Sequence, residues 1–297
     1  GGLLGWVHLF DAQGPYDAPA PVGGSLGGAL PGPVAGPEMP AYWPAAFRAV
    51  ADPAYWVRRY DEEVAYVDDQ LGALLAVLEQ EGVAADTTVL VVGDHGESLT
   101  EHGYYFDHGL YLFDASLRIP LVVAGPGVPA GRQVPCQVRG LDVAPTLLDL
   151  ADLPALPGVD GESLRPLWEQ GCRDGVPRLA VAATVEPPWL SDPGPELSLR
   201  ADGALQYKYV RHRRADDELY DLRADPGEDR DVMGAQREVE AWMAEQLDRI
   251  AEGMPVDSQV LPADVEAQLR ALGYISDGPR TEEADDDSAH ERPEEDR

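Results

Sequence analysis

The chain has 297 residues, which is enough for one large domain or for a main domain with a smaller one beside it. Apolar residues make up 44% of the chain, and 54 acidic residues outnumber 22 basic ones, which gives a formal net charge of −32. A surface this negative repels nucleic acid and anionic membranes, so we expect neither as a partner.

Two cysteines, Cys136 and Cys172, are too few for a zinc pattern or a disulfide framework, and we expect two ordinary thiols rather than a bridge. No apolar run reaches about eighteen residues, so no membrane span is expected. No signal-peptide pattern is present, but the chain begins with GGLLGWVHLF, without Met. We therefore expect a sequence cut from a longer one, and its compartment and oligomeric state stay open.

The first elements along the chain are a strand, a loop and a long helix. Residues 3–10, LLGWVHLF, predict a strand, and the Pro-, Gly- and Ala-rich residues 18–41 predict an irregular loop. From about Pro53 to Leu78, apolar residues recur at steps of three and four, which is typical of one face of an amphipathic helix. Gly82 is placed to end that helix.

Alternating strands and helices follow. Residues 86–92, DTTVLVV, and 119–127, IPLVVAGPG, predict buried strands, and Asp142 is placed to cap a helix in DVAPTLLDLADL. Strands that alternate with helices favour an α/β fold with a mostly parallel sheet flanked by helices.

The C-terminal part has a different sequence pattern, with short apolar runs. The short runs RLAVAAT, ELSLR and QYKYVRH predict a small antiparallel sheet, and a further helix is marked by Val239, Met243, Leu247 and Ile250. The acidic residues 276–297 cannot bury enough apolar surface and are expected to be disordered. The predicted domains are 1–175, a partial catalytic domain; 176–255, a small C-terminal α+β subdomain; and 256–297, a helical segment with an acidic tail.

Histidine and carboxylate side chains are most concentrated in residues 93–108, GDHGESLTEHGYYFDH, directly after the strand at 86–92. Ligands of parallel α/β sheets bind beyond the carboxyl ends of the strands, where Asp94 and His95 would lie. A carboxylate beside an imidazole suits a divalent cation: Ca²⁺ or Mg²⁺ if the other ligands are oxygens, Mn²⁺ or Zn²⁺ if more are imidazoles. His108 could fold back over the same point, although a solvated polar turn has a similar composition.

A longer set of segments resembles the sulfatase family of the alkaline phosphatase superfamily, in the family's order. The segments are WVHLFDAQGPYDAP, YDEEVAYVDDQLGALLAVLEQEG, TTVLVVGDHGESLTEHG with DHGLYLFDASLRIPLVVAGPG, VRGLDVAPTLLDLADLPALPGVDGESLRPL, and YKYVRHRRADDELYDLRADPGEDRDV. The resemblance covers roughly residues 3–250. It implies an alkaline phosphatase-like α/β domain, N-terminally truncated, with a small antiparallel C-terminal subdomain.

The resemblance also implies roles for individual residues. Asp94 and His95 fall where the family has ligands of a divalent metal, usually Ca²⁺. His108 falls where members have a Lys or a His that contacts the sulfate or the leaving oxygen. Gln13 takes the place of a substrate-contacting His two residues before the Pro-Tyr pair. His102 is either a residue that orients a metal ligand from outside or a simple loop histidine.

Four other polar residues are expected to have no catalytic role: His8 as a structural residue, Glu97 and Glu101 as structural or solvated residues, and Arg118 as a packing or ion-pair residue. His8 lies within the first predicted strand, Glu97 and Glu101 lie in the loop after Asp94, and Arg118 lies in LRIP.

The family nucleophile is absent from these 297 residues. It is a formylglycine made from the first residue of Cys/Ser-x-Pro-x-Arg, and neither PCQVRG nor GCRDGVP fits that pattern, nor does any serine. Two further aspartate ligands of the metal are expected before residue 1. Without a nucleophile the covalent route is lost.

We therefore expect a metal-dependent, sulfatase-like hydrolase of sulfate esters that is inactive as this isolated chain. Its partner would be a sulfated small molecule or glycan bound by a full-length parent, and family members are often periplasmic, secreted or lysosomal. Two alternatives remain: a phosphate mono- or diester hydrolase of the same superfamily, and a non-catalytic homologue.

Overall fold

The computed structural model describes residues 2–14, 16–19, 22, 52–173, 177–185, 195–203, 205–212 and 215–253. The helices are α1 Pro53–Gln80, α2 Asp114–Leu117, α3 Val143–Leu150, α4 Arg165–Gln170 and α5 Arg237–Ala251. The strands are β1 Val89–Val92, β2 Leu121–Ala124, β3 Leu179–Val185, β4 Pro195–Ala201, β5 Tyr207–Arg211 and β6 Glu218–Asp221. Most of the loop predicted at 18–41, and all of the tail predicted at 256–297, lie outside the described residues, and the domain boundaries stay a prediction.

The long helix α1 is confirmed. Its first turn is set by Asp52, whose Oδ1 accepts a hydrogen bond from the Ala54 amide at 3.0 Å, and by Pro53 at the first helical position. Trp56 is buried near the start of the helix, whereas Leu74 and Val77 are exposed near its end. No helix in the described part of the chain is long and apolar enough to cross a membrane.

Strands β1 and β2 form a two-stranded antiparallel sheet, with Val89 opposite Ala124 and Val92 opposite Leu121. This pair differs from the mostly parallel sheet that the sequence predicts, and no parallel pair occurs among the described strands. The two strands are antiparallel because the connection between them brings the chain back to the end of β1. Gly93, directly after β1, donates its amide hydrogen to the carbonyl of Pro120, directly before β2, at 3.1 Å. The chain therefore enters β2 at the same end at which it left β1.

The strand predicted at residues 3–10 is not formed. Its apolar side chains are largely uncovered: Leu3 is 97% exposed and Trp6 is 79% exposed. A strand needs a neighbour for its backbone N–H and C=O groups, and within the described residues no strand pairs with this segment.

The small antiparallel C-terminal subdomain is confirmed. Strands β3 to β6 pair in sequence order, and helix α5 packs on the sheet, with Met243 and Leu247 fully buried against Leu199 and Leu219. The sequence predicted three of the strands and the helix, but not β6. Glu218–Asp221 is short and carries a charge at each end, so its strand character depends on pairing with β5.

Cys136 and Cys172 form a disulfide bridge, with their Cα atoms 5.6 Å apart, so the prediction of two free thiols is wrong. The chain after α4 returns to the segment before α3, which sequence spacing alone cannot reveal. The neighbouring Gln137 donates to the backbone carbonyls of Arg178 and Arg200 at 2.7 and 3.0 Å. The bridge therefore lies at the junction between the main part of the fold and the C-terminal sheet.

Asp142 stands at the N-terminus of α3, but its side chain does not cap the helix. It is fully buried and binds the guanidinium groups of Arg139 at 2.8 Å and Arg178 at 2.6 Å. Burial alone would raise the pKa of Asp142, but the hydrogen bond from Arg139 holds it below its usual value.

A second buried ion cluster joins the C-terminal sheet to α2. Lys208 on β5 is fully buried, and its Nζ lies 3.1 Å from Asp114 Oδ1 and 2.7 Å from Glu228 Oε1. Glu228 also accepts the Asp114 amide at 2.6 Å. Because α2 follows residues 93–113 directly, this cluster fixes one end of the segment that carries the candidate site.

Candidate active site

Three pieces of chain meet beyond the end of β1. The strand end carries Asp94 and His95, the returning loop carries His108, and the segment before α1 carries Gln13 and Tyr16. His95 contacts both Asp94 and His108, His108 contacts Gln13, and Glu97 connects His108 to Tyr16. His108 therefore folds back over the Asp94–His95 pair, as the sequence suggested, and Gln13 lies beside it.

Close packing against α2 sets the turn after β1. The Gly96 amide donates to the carbonyl of Ser116 at 2.7 Å. A Cβ atom on residue 96 would lie 2.1 Å from the carbonyl oxygen of Ala115, so the backbone can approach α2 this closely only with glycine. This packing fixes the direction in which the chain leaves Asp94 and His95.

The Asp94 carboxylate faces two imidazoles. Its Oδ2 lies 3.9 Å from Nε2 of His95 and 3.7 Å from Nε2 of His8, and its Oδ1 accepts the His95 amide at 2.9 Å. Partial burial would raise the pKa of Asp94, but the His95 amide and the two imidazoles lower it below its usual value. His8, which the sequence placed inside a strand as a structural residue, lies at the site.

The Asp94–His95 pair has the right chemistry for part of a metal site. Nδ1 of His95 lies 2.9 Å from the carbonyl of Gly96. Because a carbonyl oxygen accepts a hydrogen bond but cannot donate one, the hydrogen of a neutral ring lies on Nδ1. Nε2 then keeps its lone pair for a cation. Within the described ranges, no group of three or more His, Cys, Asp or Glu side chains could hold a metal ion. Ca²⁺ binds about six to eight oxygens, so Asp94 and His95 fit it only as two members of a larger ligand set.

The loop that carries His108 is folded back by a short backbone pairing. The Ser98 amide donates to the carbonyl of Asp107 at 3.1 Å, and the Phe106 amide donates to the carbonyl of Ser98 at 2.6 Å. The His108 ring then stacks on the ring of His95, with centroids 3.9 Å apart and planes inclined by 24°.

Both ring nitrogens of His108 have polar neighbours. Nδ1 lies 3.1 Å from Oε1 of Glu97, and Nε2 lies 3.2 Å from Nε2 of Gln13. The hydrogen bond to Glu97 raises the pKa of His108 above its usual value, against the effect of partial burial. Glu97 therefore favours a protonated imidazole at this position.

Glu97 is the residue that sequence reasoning missed. Its side chain is only 5% exposed, and its Oε2 accepts a hydrogen bond from the hydroxyl of Tyr16 at 3.1 Å. A glutamate in a polar loop has the same sequence signature whether it is solvated or buried. The nearby aromatic residues of YYF at 104–106 were a weak signal that this loop packs inward.

Helix α1 holds the segment that carries Gln13 and Tyr16. The Arg59 guanidinium donates to the carbonyl of Tyr16 at 3.1 Å and to Asp17 Oδ1 at 3.0 Å. Tyr16 is 2% exposed and packs with Trp56. The Gln13 side chain is thus carried on a segment anchored within a few residues of it.

The remaining predicted residues lie around this centre. The His102 ring stacks on Phe113, with centroids 3.6 Å apart and planes inclined by 9°, so a role in orienting a metal ligand stays a prediction. Glu101 is exposed and accepts the amides of Leu99 and Thr100 at 2.8 and 2.9 Å, a structural contact as expected. Arg118 is exposed at the end of α2.

Two family models match the chain. The model described as Sulfatase matches residues 29–153, and the model described as N-sulphoglucosamine sulphohydrolase, C-terminal, matches residues 100–253, just over half of the chain. Together they include the end of β1, the loop with His108 and the whole C-terminal sheet.

Curated relatives include sulfatases of animals and bacteria. Arylsulfatase K of Gallus gallus is 32% identical over 171 residues, which cover 55% of this chain and 31% of that protein. Choline-sulfatase of Rhizobium meliloti (strain 1021) is 35% identical over 174 residues, which cover 57% of this chain and 31% of the relative. The matched region thus spans about a third of the length of these relatives.

Solved structures with the same fold include a phosphonate monoester hydrolase of Agrobacterium radiobacter, with a TM-score of 0.59 and 27% identity. A protein solved in complex with its substrate D-glucosamine-2-N,6-O-disulfate also has a TM-score of 0.59, with 25% identity. Each alignment covers 70% of this chain and 43% of the other. These likenesses confirm the predicted alkaline phosphatase-like α/β fold class.

Proposed function

Because this chain belongs to the sulfatase family, we propose that it forms one wall of a metal-assisted site that hydrolyses sulfate esters. The observation that carries the proposal is the convergence of Asp94, His95 and His108 beyond the end of β1, with the two rings stacked 3.9 Å apart. A sulfated small molecule or glycan is the proposed substrate class.

Asp94 and His95 would hold a divalent cation, for which we propose Ca²⁺. The lowered pKa of Asp94 keeps its carboxylate ionised, and the Gly96 carbonyl leaves Nε2 of His95 free to bind. When bound, the cation supplies positive charge that stabilises the negative charge of the transferring group. The other ligands would come from groups beyond these two side chains.

His108 and Gln13 would contact the substrate. An imidazolium at residue 108, favoured by Glu97, can donate a proton from Nε2 to a leaving oxygen. The amide of Gln13, 3.2 Å from that nitrogen, can donate a hydrogen bond to the same group but cannot transfer a proton. The two side chains therefore divide proton donation and hydrogen bonding between them.

We further propose that turnover needs a nucleophile from outside these 297 residues. The sequence contains no Cys/Ser-x-Pro-x-Arg motif, and both cysteines are joined to each other in the disulfide. A site without a nucleophile binds its substrate but cannot form the covalent intermediate.

A phosphate mono- or diester hydrolase is the second candidate. The likeness to the phosphonate monoester hydrolase, at 27% identity over 70% of this chain, favours it, because a cation and a proton donor serve phosphoryl transfer equally well. A non-catalytic homologue is the third reading and would show binding without turnover in any context.

The test is a chimera in which the N-terminal segment of a full-length sulfatase that contains the Cys/Ser-x-Pro-x-Arg motif, with its first residue converted to formylglycine, precedes this chain. We expect release of 4-nitrophenol from 4-nitrophenyl sulfate with Ca²⁺, faster than from the phosphate ester, and none from the chain alone. Asp94→Ala and His108→Ala in the chimera should each lower kcat/KM at least about a hundredfold, whereas Glu101→Ala should not. Release by the isolated chain, or a chimera insensitive to Asp94→Ala, would contradict the proposal.

A further inference from the structure

We propose that Glu97 is a positioning residue. Its buried carboxylate binds the Nδ1 edge of His108 and the hydroxyl of Tyr16 together, so that Nε2 is the ring nitrogen turned toward Gln13. The inference rests on the proposed function only in naming Nε2 as the atom that meets substrate. The arrangement itself stands on contacts within the chain.

The burial of Glu97 is the first step. A carboxylate only 5% exposed is costly unless hydrogen bonds replace its lost hydration. Each oxygen has a different donor: Oε1 faces Nδ1 of His108 at 3.1 Å, and Oε2 accepts the hydroxyl hydrogen of Tyr16 at 3.1 Å. The carboxylate therefore connects two of the three chain pieces that build the site.

Tyr16 holds the carboxylate from the side opposite the ring. Burial, and then the negative charge of Glu97, raise the pKa of the Tyr16 hydroxyl far above its usual value. The hydroxyl thus stays protonated and keeps donating to Oε2. Tyr16 itself is fixed by Arg59, which donates to its carbonyl, so the carboxylate cannot rotate freely.

The His108 ring is held on both edges and on one face. An ionised Glu97 only accepts, so the hydrogen between them must be on Nδ1. In a neutral ring Nε2 then carries the lone pair, which matches the Gln13 amide as a donor 3.2 Å away. Stacking on His95 covers one face of the ring. A ring bound in this way presents one nitrogen, whereas a loop histidine without such partners presents either.

The backbone places Glu97 for this task. Gly96 fixes the position before it against Ala115, and Ser98 fixes the position after it by pairing with Asp107. The same pairing brings His108 back beside Glu97. The carboxylate and the ring are therefore set by two constraints that act on adjacent residues.

The experiment is nitrogen NMR of the full 297-residue chain with ¹⁵N-labelled histidine, in alkaline buffer where the imidazole is neutral. The two-bond correlations of each ring identify which nitrogen carries the hydrogen. We expect His108 in one form, with the hydrogen on Nδ1. In Glu97→Gln the share of that form should fall to about half or less, because an amide can donate as well as accept. Tyr16→Phe should lower it less.

Glu101→Gln is the matched control, because it makes the same change on the same loop at an exposed carboxylate, and it should leave the His108 spectrum unchanged. The wild-type spectrum alone can overturn the inference, by showing the hydrogen on Nε2 or two averaged forms, so a Glu97 variant that does not fold leaves the test intact. An unchanged spectrum in folded Glu97→Gln would overturn it as well.

A kinetic arm separates this inference from the proposed function. In the chimera, Glu97→Gln should lower kcat about tenfold or more with KM little changed, because the contact acts on the ring that donates the proton. A chimera without activity would contradict the proposed function and leave the NMR result standing. An active chimera with an unchanged kcat in Glu97→Gln would contradict the positioning role.

Discussion

His95 and His108 stack ring on ring, with centroids 3.9 Å apart, although one follows a strand end and the other closes the loop beyond it. The stack links the residue proposed to bind the cation with the residue proposed to meet the leaving oxygen. A change that moves the loop therefore disturbs both proposed functions.

Gly96→Ala should destabilise the chain and disorder the site. The added Cβ would lie 2.1 Å from the Ala115 carbonyl oxygen, and neither backbone can yield without moving the loop. We expect a loss of about 1–3 kcal/mol in the free energy of unfolding, measured by urea denaturation. Gly72→Ala is the control: residue 72 lies within α1, and apart from the helix's own nearby backbone nothing lies within 4 Å of its Cβ position, so this change should be neutral or stabilising. Equal effects of the two substitutions would contradict the close approach at residue 96.

Lys208→Met should destabilise strongly. The lysine is fully buried between Asp114 and Glu228. Its removal leaves the buried Glu228 without its cation, and Asp114 keeps only Arg200, at 3.3 Å. We expect a loss of about 3–5 kcal/mol. Arg249→Met removes an exposed helix ion pair with Glu245 and should cost less than about 0.5 kcal/mol. The comparison is made by urea denaturation, and a mild effect of Lys208→Met would show that this cluster does not bear on stability.

The stability of the C-terminal sheet should fall as pH rises. His212 lies between Glu196 and Glu218; burial alone would lower its pKa, but the two carboxylates raise it to about 9. A raised pKa in the folded state contributes stability that is complete below the unfolded value of about 6.5 and is lost as pH rises through about 9. The melting temperature of His212→Gln should therefore vary less with pH between these values than that of the wild type. Parallel curves for wild type and His212→Gln would refute the assignment.

Reduction of the Cys136–Cys172 bridge should destabilise the junction between the main part of the fold and the C-terminal sheet. The bridge closes a loop with a sequence separation of 36, for which chain entropy gives about 4 kcal/mol. The double substitution Cys136→Ser with Cys172→Ser should lower the melting temperature to that of the reduced wild type and abolish its response to reductant. Two titratable thiols in the native, unreduced chain would show that the bridge does not form.

Local patterns in the sequence predicted many of the helices and strands. The steps of three and four between Tyr60 and Leu78 predicted α1 because they describe one face of a single helix. Asp94 and His95 could be placed at a strand end for a similar reason, since the apolar run and the polar turn are adjacent in sequence. The bounds of β6 and the direction of β2 could not be predicted, because strand pairing depends on a partner elsewhere in the chain.

The sequence by itself determined the elements α1, α3, α5 and β1 to β5, the family resemblance, and the absence of the Cys/Ser-x-Pro-x-Arg motif within these residues. Tertiary structure alone decided that Glu97 is buried under His108, that His8 faces Asp94, and that the cysteines are joined. Each of these is a contact between residues distant in sequence, formed by groups whose types are common in solvated loops. Periodicity reports which face of an element is apolar, but it carries no information about which loop side chain meets another once the chain has folded back.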